Sequence, residues 1–406
     1  MGWFIRLLSC ARRATVRRTF TTPGKGNVPT PRNKSSAPTL VEPCIYQSDV
    51  IASEAGWKVI PPGSKDVILW KPLQSNTVLK IVSWNIDFSS PRPAERASAA
   101  MAHLQSILGE GAANLVVLLQ EVCADPVEQI MQTRWVQKNF IPSGHIPPQI
   151  TQGGIPRPAR YFTMIMTPKG TEIAGAFRLP LTSNMGRDAL FVDIAVCSDG
   201  QPSDHDDRQV FRLCTTHLES LSEGVALQKQ QLQVIANSLK ESGETPSIAG
   251  LVGGDMNATH DSEHTLHHEV GLEDAWQRRK IDKLDETSKS VDDTGKAHGH
   301  TWGYQSNGTR FPPVRFDKFM YTGGIEVSPL AEFESTGETV GRLGIGLRLR
   351  NSPEGRSNTW VSDPSGIATG IKVMALQPIR PSEAMPSHNH NNSDNTPGTQ
   401  NAARFR

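Results

Sequence analysis

Five short segments rich in acids and amides recur along the chain: Ser83-Trp-Asn-Ile-Asp87, Gln120-Glu121-Val122, Thr216-His-Leu-Glu219, Gly253-Gly-Asp-Met-Asn257 and Arg315-Phe-Asp-Lys318. This mixture suits the cleavage of a phosphate ester. A hard cation must neutralise the non-bridging oxygens, and carboxylates are its oxygen ligands. A carboxylate base must take a proton from the attacking water. Amides such as Asn85 and Asn257 orient that water, or hold a phosphate oxygen, without adding repulsive charge. Two glycines ahead of Asp255 permit a tight turn and close backbone approach. Each segment alone is common in unrelated chains, and the inference rests on their joint occurrence in this order.

The elements around these segments must hold them. Lys80–Trp84 is a short β-rich run, and Leu115–Leu119 is continuously apolar, as a buried strand is. Tyr161–Thr167, Ala189–Val196, Val210–Leu218, Ser247–Val252, Phe316–Thr322 and Thr369–Val373 read as further strands. Ala94–Leu108, Val127–Phe140 and Glu223–Lys240 carry helical spacing. Arg342–Arg350 alternates basic residues or glycine with apolar ones and predicts an edge strand with a solvated face. The alternation predicts an α/β fold with both sheet faces covered. Strand ends then converge on one crevice, where such folds place ligands.

Charge is unevenly spread. The 406 residues carry a formal net charge of +1, but residues 1–41 hold eight basic residues and no acid. The rest has 34 basic against 41 acidic residues, a charge of −7, which excludes a broadly basic nucleic-acid binder. The leader is acid-free and rich in Arg, Ser and Thr, as mitochondrial transit peptides are, with the nucleus as the alternative destination. Residues 1–43 therefore read as leader and linker, 44–375 as the folded domain and 376–406 as a disordered tail whose SHNHNN stretch is low-complexity sequence. Five cysteines without a CxxC pair exclude a disulfide framework and a zinc knuckle, and fit a reducing compartment. No apolar run is long enough to span a bilayer, so no membrane partner is expected. His260, His264, His267 and His268 read as a polar helix face beside the site rather than as a zinc site.

The ordered set WNID, QEV, THLES, GGDMN and RFDK resembles the endonuclease/exonuclease/phosphatase superfamily. Within it, WNID, THLES, Gly299-His-Thr-Trp-Gly-Tyr304 and Asn184-Met-Gly-Arg187 are similar to the tyrosyl-DNA phosphodiesterase 2 branch. The resemblance covers residues 80–373. It implies a four-layer α/β sandwich, two mixed β-sheets packed face to face with helices outside. It implies Mg²⁺, with Mn²⁺ as the alternative, held by Glu121 and Asn85. Asp255 would activate water with help from Asn257, His217 would contact the scissile phosphate, and Asp317 would orient a histidine of the last motif, in which Asp363 stands. Arg187, Trp302 and Arg315 would bind substrate. The partner implied is a nucleic acid with a 5′-phosphotyrosyl or other phosphodiester end, bound by a monomer.

The last motif departs from the family. Where Ser-Asp-His is expected the chain reads Ser362-Asp363-Pro364. Proline has no side-chain donor, acceptor or titratable group. In the family that histidine stabilises the pentavalent phosphate, and one preorganised donor of this kind is worth ~10²–10³ in rate. Three readings of Pro364 follow: a slow enzyme, another group in the place of the histidine, or a relative that binds without turnover. The implied substrate is a phosphotyrosyl-DNA end, with RNA, abasic DNA or a lipid or inositol phosphate as the alternatives on the same fold.

Overall fold

The structure, a computed structural model, describes residues 37–374 except 48–55, 61–69, 76, 153–154, 198–208, 222–223, 242–246, 260–264, 277–298, 306–311, 337 and 350–358. The leader to residue 36, the tail from 375, His260 and His264 lie outside the described residues.

In chain order the strands are β1 (Thr39–Leu40), β2 (Cys44–Gln47), β3 (Gly56–Val59), β4 (Leu73–Gln74), β5 (Val78–Asn85), β6 (Leu115–Val122), β7 (Phe140–Ser143), β8 (Gln149–Gln152), β9 (Ile155–Pro158), β10 (Phe162–Pro168), β11 (Ile173–Pro180), β12 (Asp188–Cys197), β13 (Gln209–His217), β14 (Ser247–Asp255), β15 (Glu273–Asp274), β16 (Asp317–Gly323), β17 (Ile325–Ser328), β18 (Gly341–Leu343) and β19 (Gly366–Val373). The helices are α1 (Pro93–Leu108), α2 (Ala124–Gln132), α3 (Arg134–Asn139), α4 (Val225–Lys240) and α5 (Leu266–Glu269).

Two mixed sheets result. One runs β1-β11-β12-β13-β14-β16-β15 with β4 beside β12, and the other runs β17-β19-β5-β6-β10-β7 with β18 beside β19. β5 and β6 pair in parallel, as do β13 and β14, so the carboxyl ends of each pair lie together. Apolar residues on both strand faces make the layers. Along β6, Val116 and Leu118 join Ile81, Leu190, Phe211 and Leu213 between the sheets. Leu115, Val117 and Leu119 point the other way, onto Met101 and Leu104 of α1 and Ile130 of α2. Behind the other sheet, Phe191, Cys214 and Val252 pack on Leu232, Ile235 and Leu239 of α4. Helix, sheet, sheet and helix give the expected four layers. The continuous apolar run of β6 is the pattern of a strand covered on both faces.

Three expectations need correction. Val127–Phe140 is not one helix: α2 ends, Thr133 is extended, α3 follows, and Phe140 opens β7. Phe140 and Ile141 face opposite cores, a period of two that a helix cannot supply. The edge strand at Arg342–Arg350 is confined to β18, because Gly344 (φ +68) turns the chain and Arg348 then lies over the Trp360 ring, 3.7 Å from its centroid. Gly253 and Gly254 lie inside β14 and form no turn; a Cβ on Gly254 would collide with the Thr216 carbonyl of β13. Close approach is their role.

Gln120 ties the sheets together at this end. Its Nε2 donates to Ser83 Oγ of β5 at 3.0 Å and to Thr215 Oγ1 of β13 at 2.8 Å. The described cysteines Cys44, Cys123, Cys197 and Cys214 form no disulfide with one another, and no described helix is long and apolar enough to cross a membrane.

Candidate active site

The strand ends bring most of the expected residues to one place. Asn85 closes β5, Glu121 sits near the end of β6, His217 closes β13 and Asp255 closes β14. Asp317 opens β16 directly opposite Asp255. The backbone is strained here: Asp87, Glu121 and Asn257 all have positive φ, at 49°, 55° and 49°. Non-glycine residues held there cost of order ~1–3 kcal/mol each, and such strain is characteristic of sites that fix a side chain against its preference.

Asn85 is a bridge. Its Nδ2 donates to Asp255 Oδ2 at 3.0 Å, and its Oδ1 accepts the Asp87 N–H at 2.9 Å. Asn257 donates its backbone N–H to the other Asp255 oxygen at 2.9 Å, while its Nδ2 is anchored on the Leu218 carbonyl at 2.9 Å. Asp255 is thus gripped on both oxygens. Glu121 Oε2 accepts the Phe88 N–H at 3.2 Å. His217 lies between the two carboxylates, its Nδ1 3.5 Å from Glu121 and its Nε2 3.6 Å from Asp255. Those distances are long for hydrogen bonds, and Nδ1 has no partner among the described residues.

Burial sets the protonation states. It pushes the Glu121 carboxyl up to about 7, with Asp87 and Asp255 adding to the rise and Arg187 opposing it. Asp255 is raised by burial and by Asp363, against the hydrogen bonds from Asn257 and Asn85. Asp317 is raised further, by burial and then by Asp255 and Glu121. His217 is held well below its ordinary range by burial and by Arg187, so the imidazole is neutral and its contacts are not ion pairs. Among the described residues no three His, Cys, Asp or Glu side chains close on one point as a metal cage. Magnesium needs less, because it keeps several waters and takes one or two carboxylates. Glu121 with Asn85 beside it fits that donor set, and a hard cation would keep the buried Glu121 ionised.

Arg187 supplies the cation of the site. It is 5 % exposed, yet its Nε and Nη1 have no hydrogen-bond partner among the described residues. It borders a pocket lined by Glu121, Tyr161, Thr163, Gly186 and His217, and its guanidinium lies 5.4 Å from the Tyr161 ring centroid. The loop that carries it is fixed by Glu219, the last residue of THLE. Glu219 accepts from Ser183 Oγ at 2.6 Å, Asn184 N at 2.9 Å and Gln231 Nε2 at 3.1 Å. Ser183 Oγ in turn accepts the Arg187 N–H at 2.9 Å.

The Ser362-Asp363-Pro364 loop closes the site from the other side. Ser362 Oγ donates to the Asn85 carbonyl at 2.5 Å, Trp302 Nε1 donates to Asp363 Oδ2 at 2.6 Å, and Trp84 Nε1 donates to the Pro364 carbonyl at 3.3 Å. Ser365 N donates to the Thr301 carbonyl at 2.8 Å, and the Thr301 hydroxyl accepts the Asp317 N–H at 3.1 Å. The loop occupies a fixed seat, with Pro364 at the position where the resemblance implies a histidine. Asp317, buried to 1 % exposure, has no well-aligned hydrogen bond to either carboxylate oxygen among the described residues, and burial, Asp255 and Glu121 disfavour its charged form against the nearby Thr301 hydroxyl and a backbone hydrogen bond.

Two expected substrate-binding residues are engaged elsewhere. Arg315 pairs with Asp274 at 2.5 Å and lies over Trp276, and Trp302 is spent on Asp363 with one face stacked on Phe316. Sequence reasoning gave no role to Tyr161, Phe88, Gln120 or Glu219. For Glu219 the signal was present, an acid inside THLE that the metal and base roles left over.

Residues 82–363 match the model of the Endonuclease/Exonuclease/phosphatase family. No curated protein matches the chain. Among solved structures, truncated TDP2 of Caenorhabditis elegans is similar at TM-score 0.50 and 18 % identity, covering 74 % of this chain and 99 % of that one. TDP2 of Danio rerio in complex with a single-strand DNA product is similar at TM-score 0.49 and 21 % identity, covering 73 % of this chain and 100 % of that one. The mannosyl-6-phosphatase Bt3783 of Bacteroides thetaiotaomicron is similar at TM-score 0.44 and 15 % identity, covering 72 % of this chain and 99 % of that one.

Proposed function

The chain belongs to the endonuclease/exonuclease/phosphatase family, and from that premise we propose that it is a Mg²⁺-dependent phosphodiesterase resembling 5′-tyrosyl-DNA phosphodiesterases. One observation carries the reading. A buried arginine keeps two donors unpartnered beside a cluster of buried carboxylates and a neutral histidine. Unpartnered buried donors are costly, and a phosphate would satisfy them.

The roles follow from the contacts. Arg187 takes non-bridging phosphate oxygens. Glu121 and Asn85 would hold Mg²⁺, which when bound neutralises charge building on the phosphate. Asp255, held by Asn85 and Asn257, accepts the proton of the attacking water, and its raised pKa makes it the stronger base. His217 donates to the phosphate as a neutral imidazole. The branch motifs WNID and THLES favour a phosphotyrosyl-DNA end as substrate, and the acid-free leader favours mitochondria as the place of action.

The test is phosphate-ester cleavage by purified protein on a 5′-phosphotyrosyl oligonucleotide, beside RNA, abasic DNA and inositol phosphates. Turnover that needs Mg²⁺, stops in chelator and is lost in Asp255→Asn with binding retained is the expected result. Full activity in chelator would overturn the metal role. A second reading is favoured by Pro364 and the stranded Asp317: a relative that binds phosphate esters without turnover. Metal-dependent binding without cleavage of any substrate would select it.

A further inference from the structure

Between β7 and β10 the chain leaves both sheets and forms a separate two-stranded ribbon, β8 and β9. Every residue of β9 is exposed, and Ile146 and Ile155 are each 65 % exposed. The ribbon stands at the pocket mouth. A Cβ placed on Gly186, which lines the pocket, would lie 3.6 Å from Ile150 Cδ1. Ile150 pairs directly with Arg157, and directly opposed residues share one face of a ribbon. Arg157 therefore lies on the face turned toward the mouth, with Ile155 beside it.

A second feature points to the same place. Arg160, exposed at the foot of the ribbon, holds its guanidinium 5.2 Å over the Phe88 ring. Phe88 stacks on Tyr161 of the pocket, with centroids 4.3 Å apart and planes at 19°. Arg160 is thus a fixed charge rather than a waving one. Neither Arg157 nor Arg160 has an ion-pair partner among the described residues. The surrounding sequence is made for an anion: residues 129–171 contain no Asp or Glu, although the body of the chain carries a charge of −7.

We propose that the β8–β9 ribbon, through Arg157 and Arg160, binds the phosphate backbone of a single-stranded nucleic-acid end as it enters the pocket. The proposal rests on the phosphodiesterase reading for its substrate, and its own claim is about binding. It accounts for how a net-acidic body grips a polyanion at one site only. A small phosphodiester would fill the pocket without reaching the ribbon.

The experiment measures anisotropy of a labelled single strand of about ten nucleotides against the full chain and its Arg157→Glu/Arg160→Glu variant, over a salt series. Turnover of thymidine 5′-monophosphate p-nitrophenyl ester is followed in parallel. The expected result is an affinity loss of about tenfold and a salt slope shallower by about 1.4, for two phosphate contacts on a single strand. The Arg157→Lys/Arg160→Lys variant, which retains the charge, should bind nearly as the parent does. Turnover of the small ester, where the parent shows it, should stay within about twofold, since the pocket is untouched. Unchanged strand affinity and slope would overturn the proposal. So would an equal loss on the small ester, or failure of the lysine variant, either of which marks the ribbon as structural support. If the parent cleaves nothing yet binds the strand through these arginines, the ribbon proposal stands and the phosphodiesterase reading falls.

Discussion

Arg212 on β13 and Arg187 in the loop entering the neighbouring β12 are almost equally buried, at 7 % and 5 % exposure, yet they are held in opposite ways. Arg212 grips Asp193 with two bonds, at 2.7 and 2.9 Å, and donates to the Ser238 carbonyl at 2.6 Å. Phe177 lies beneath its guanidinium. Among the described residues Arg187 has no ion-pair partner, and two of its nitrogens have no hydrogen bond. The carboxylates near it are raised, whereas the guanidinium of Arg212 is itself raised because the bonds from Asp193 outweigh its burial. A buried charge closed by its neighbours is architecture, and one left open is a seat for something the chain does not contain.

The contrast can be broken by experiment. Arg212→Met strands Asp193 inside the fold and should cost about 3–5 kcal/mol in urea unfolding, with turnover per folded molecule unchanged. A loss below ~1 kcal/mol would show the pair to be no more than a surface bridge. Arg187→Met should do the reverse. Turnover should fall by ~10²–10³ while Tm holds or rises, and a fall in Tm like that of Arg212→Met would make Arg187 structural.

Glu121→Gln sharpens the comparison through pH. The Glu121 carboxyl moves from an ordinary 4.5 to about 7, so the folded state binds its proton more tightly than the unfolded state does. Its contribution is fully present below pH 4.5 and is lost as pH rises through 7. Without divalent metal, the glutamine variant should therefore be the more stable protein above pH 7, by up to about 3 kcal/mol, and gain nothing at pH 4. His217 acts oppositely, losing stability as pH falls below its ordinary range, but it is common to both proteins. Equal unfolding curves at pH 8 would mean that Glu121 is not carrying an uncompensated charge. The smallest effect is expected from Pro364→His. An imidazole restored beside Asp317 in a loop shaped around proline should recover only part of the ~10²–10³ that a preorganised donor supplies, raising the rate on a phosphotyrosyl oligonucleotide by about tenfold. A parent already turning over at ~10 s⁻¹ would show that the missing histidine does not matter.

Much of this was legible in the residues. Leu115–Leu119 announced a strand covered on both faces, and the acid-bearing segments after the apolar runs converge as their order implied. What could not be read depends on contacts between distant residues. Glu219 fixes the Arg187 loop from 32 positions away, and no local pattern encodes that. Arg315 looked available for substrate until Asp274 was placed against it at 2.5 Å. The left-handed backbone at Glu121 is similarly invisible, because glutamate has no intrinsic preference for it. The break at Thr133 was missed because helical spacing over Val127–Phe140 continued across a position where the sandwich required a strand to begin.

The Gln120 link between the sheets has a mechanical consequence. Asn85 and Glu121 ride on one sheet and His217 and Asp255 on the other, so the site exists only at one relative position of two sliding plates. Shear of packed layers by small steps is an ordinary protein motion, and a slip of about 1 Å in a reacting group can cost ~10²-fold in rate. The bond from Gln120 to Thr215 crosses between the plates, and the bond to Ser83 steadies Gln120 on its own sheet, so this rivet sets the registration at the reacting edge, where error is least tolerable. Heating should therefore loosen the rivet before it opens the plates, and the chain would fall silent while still folded.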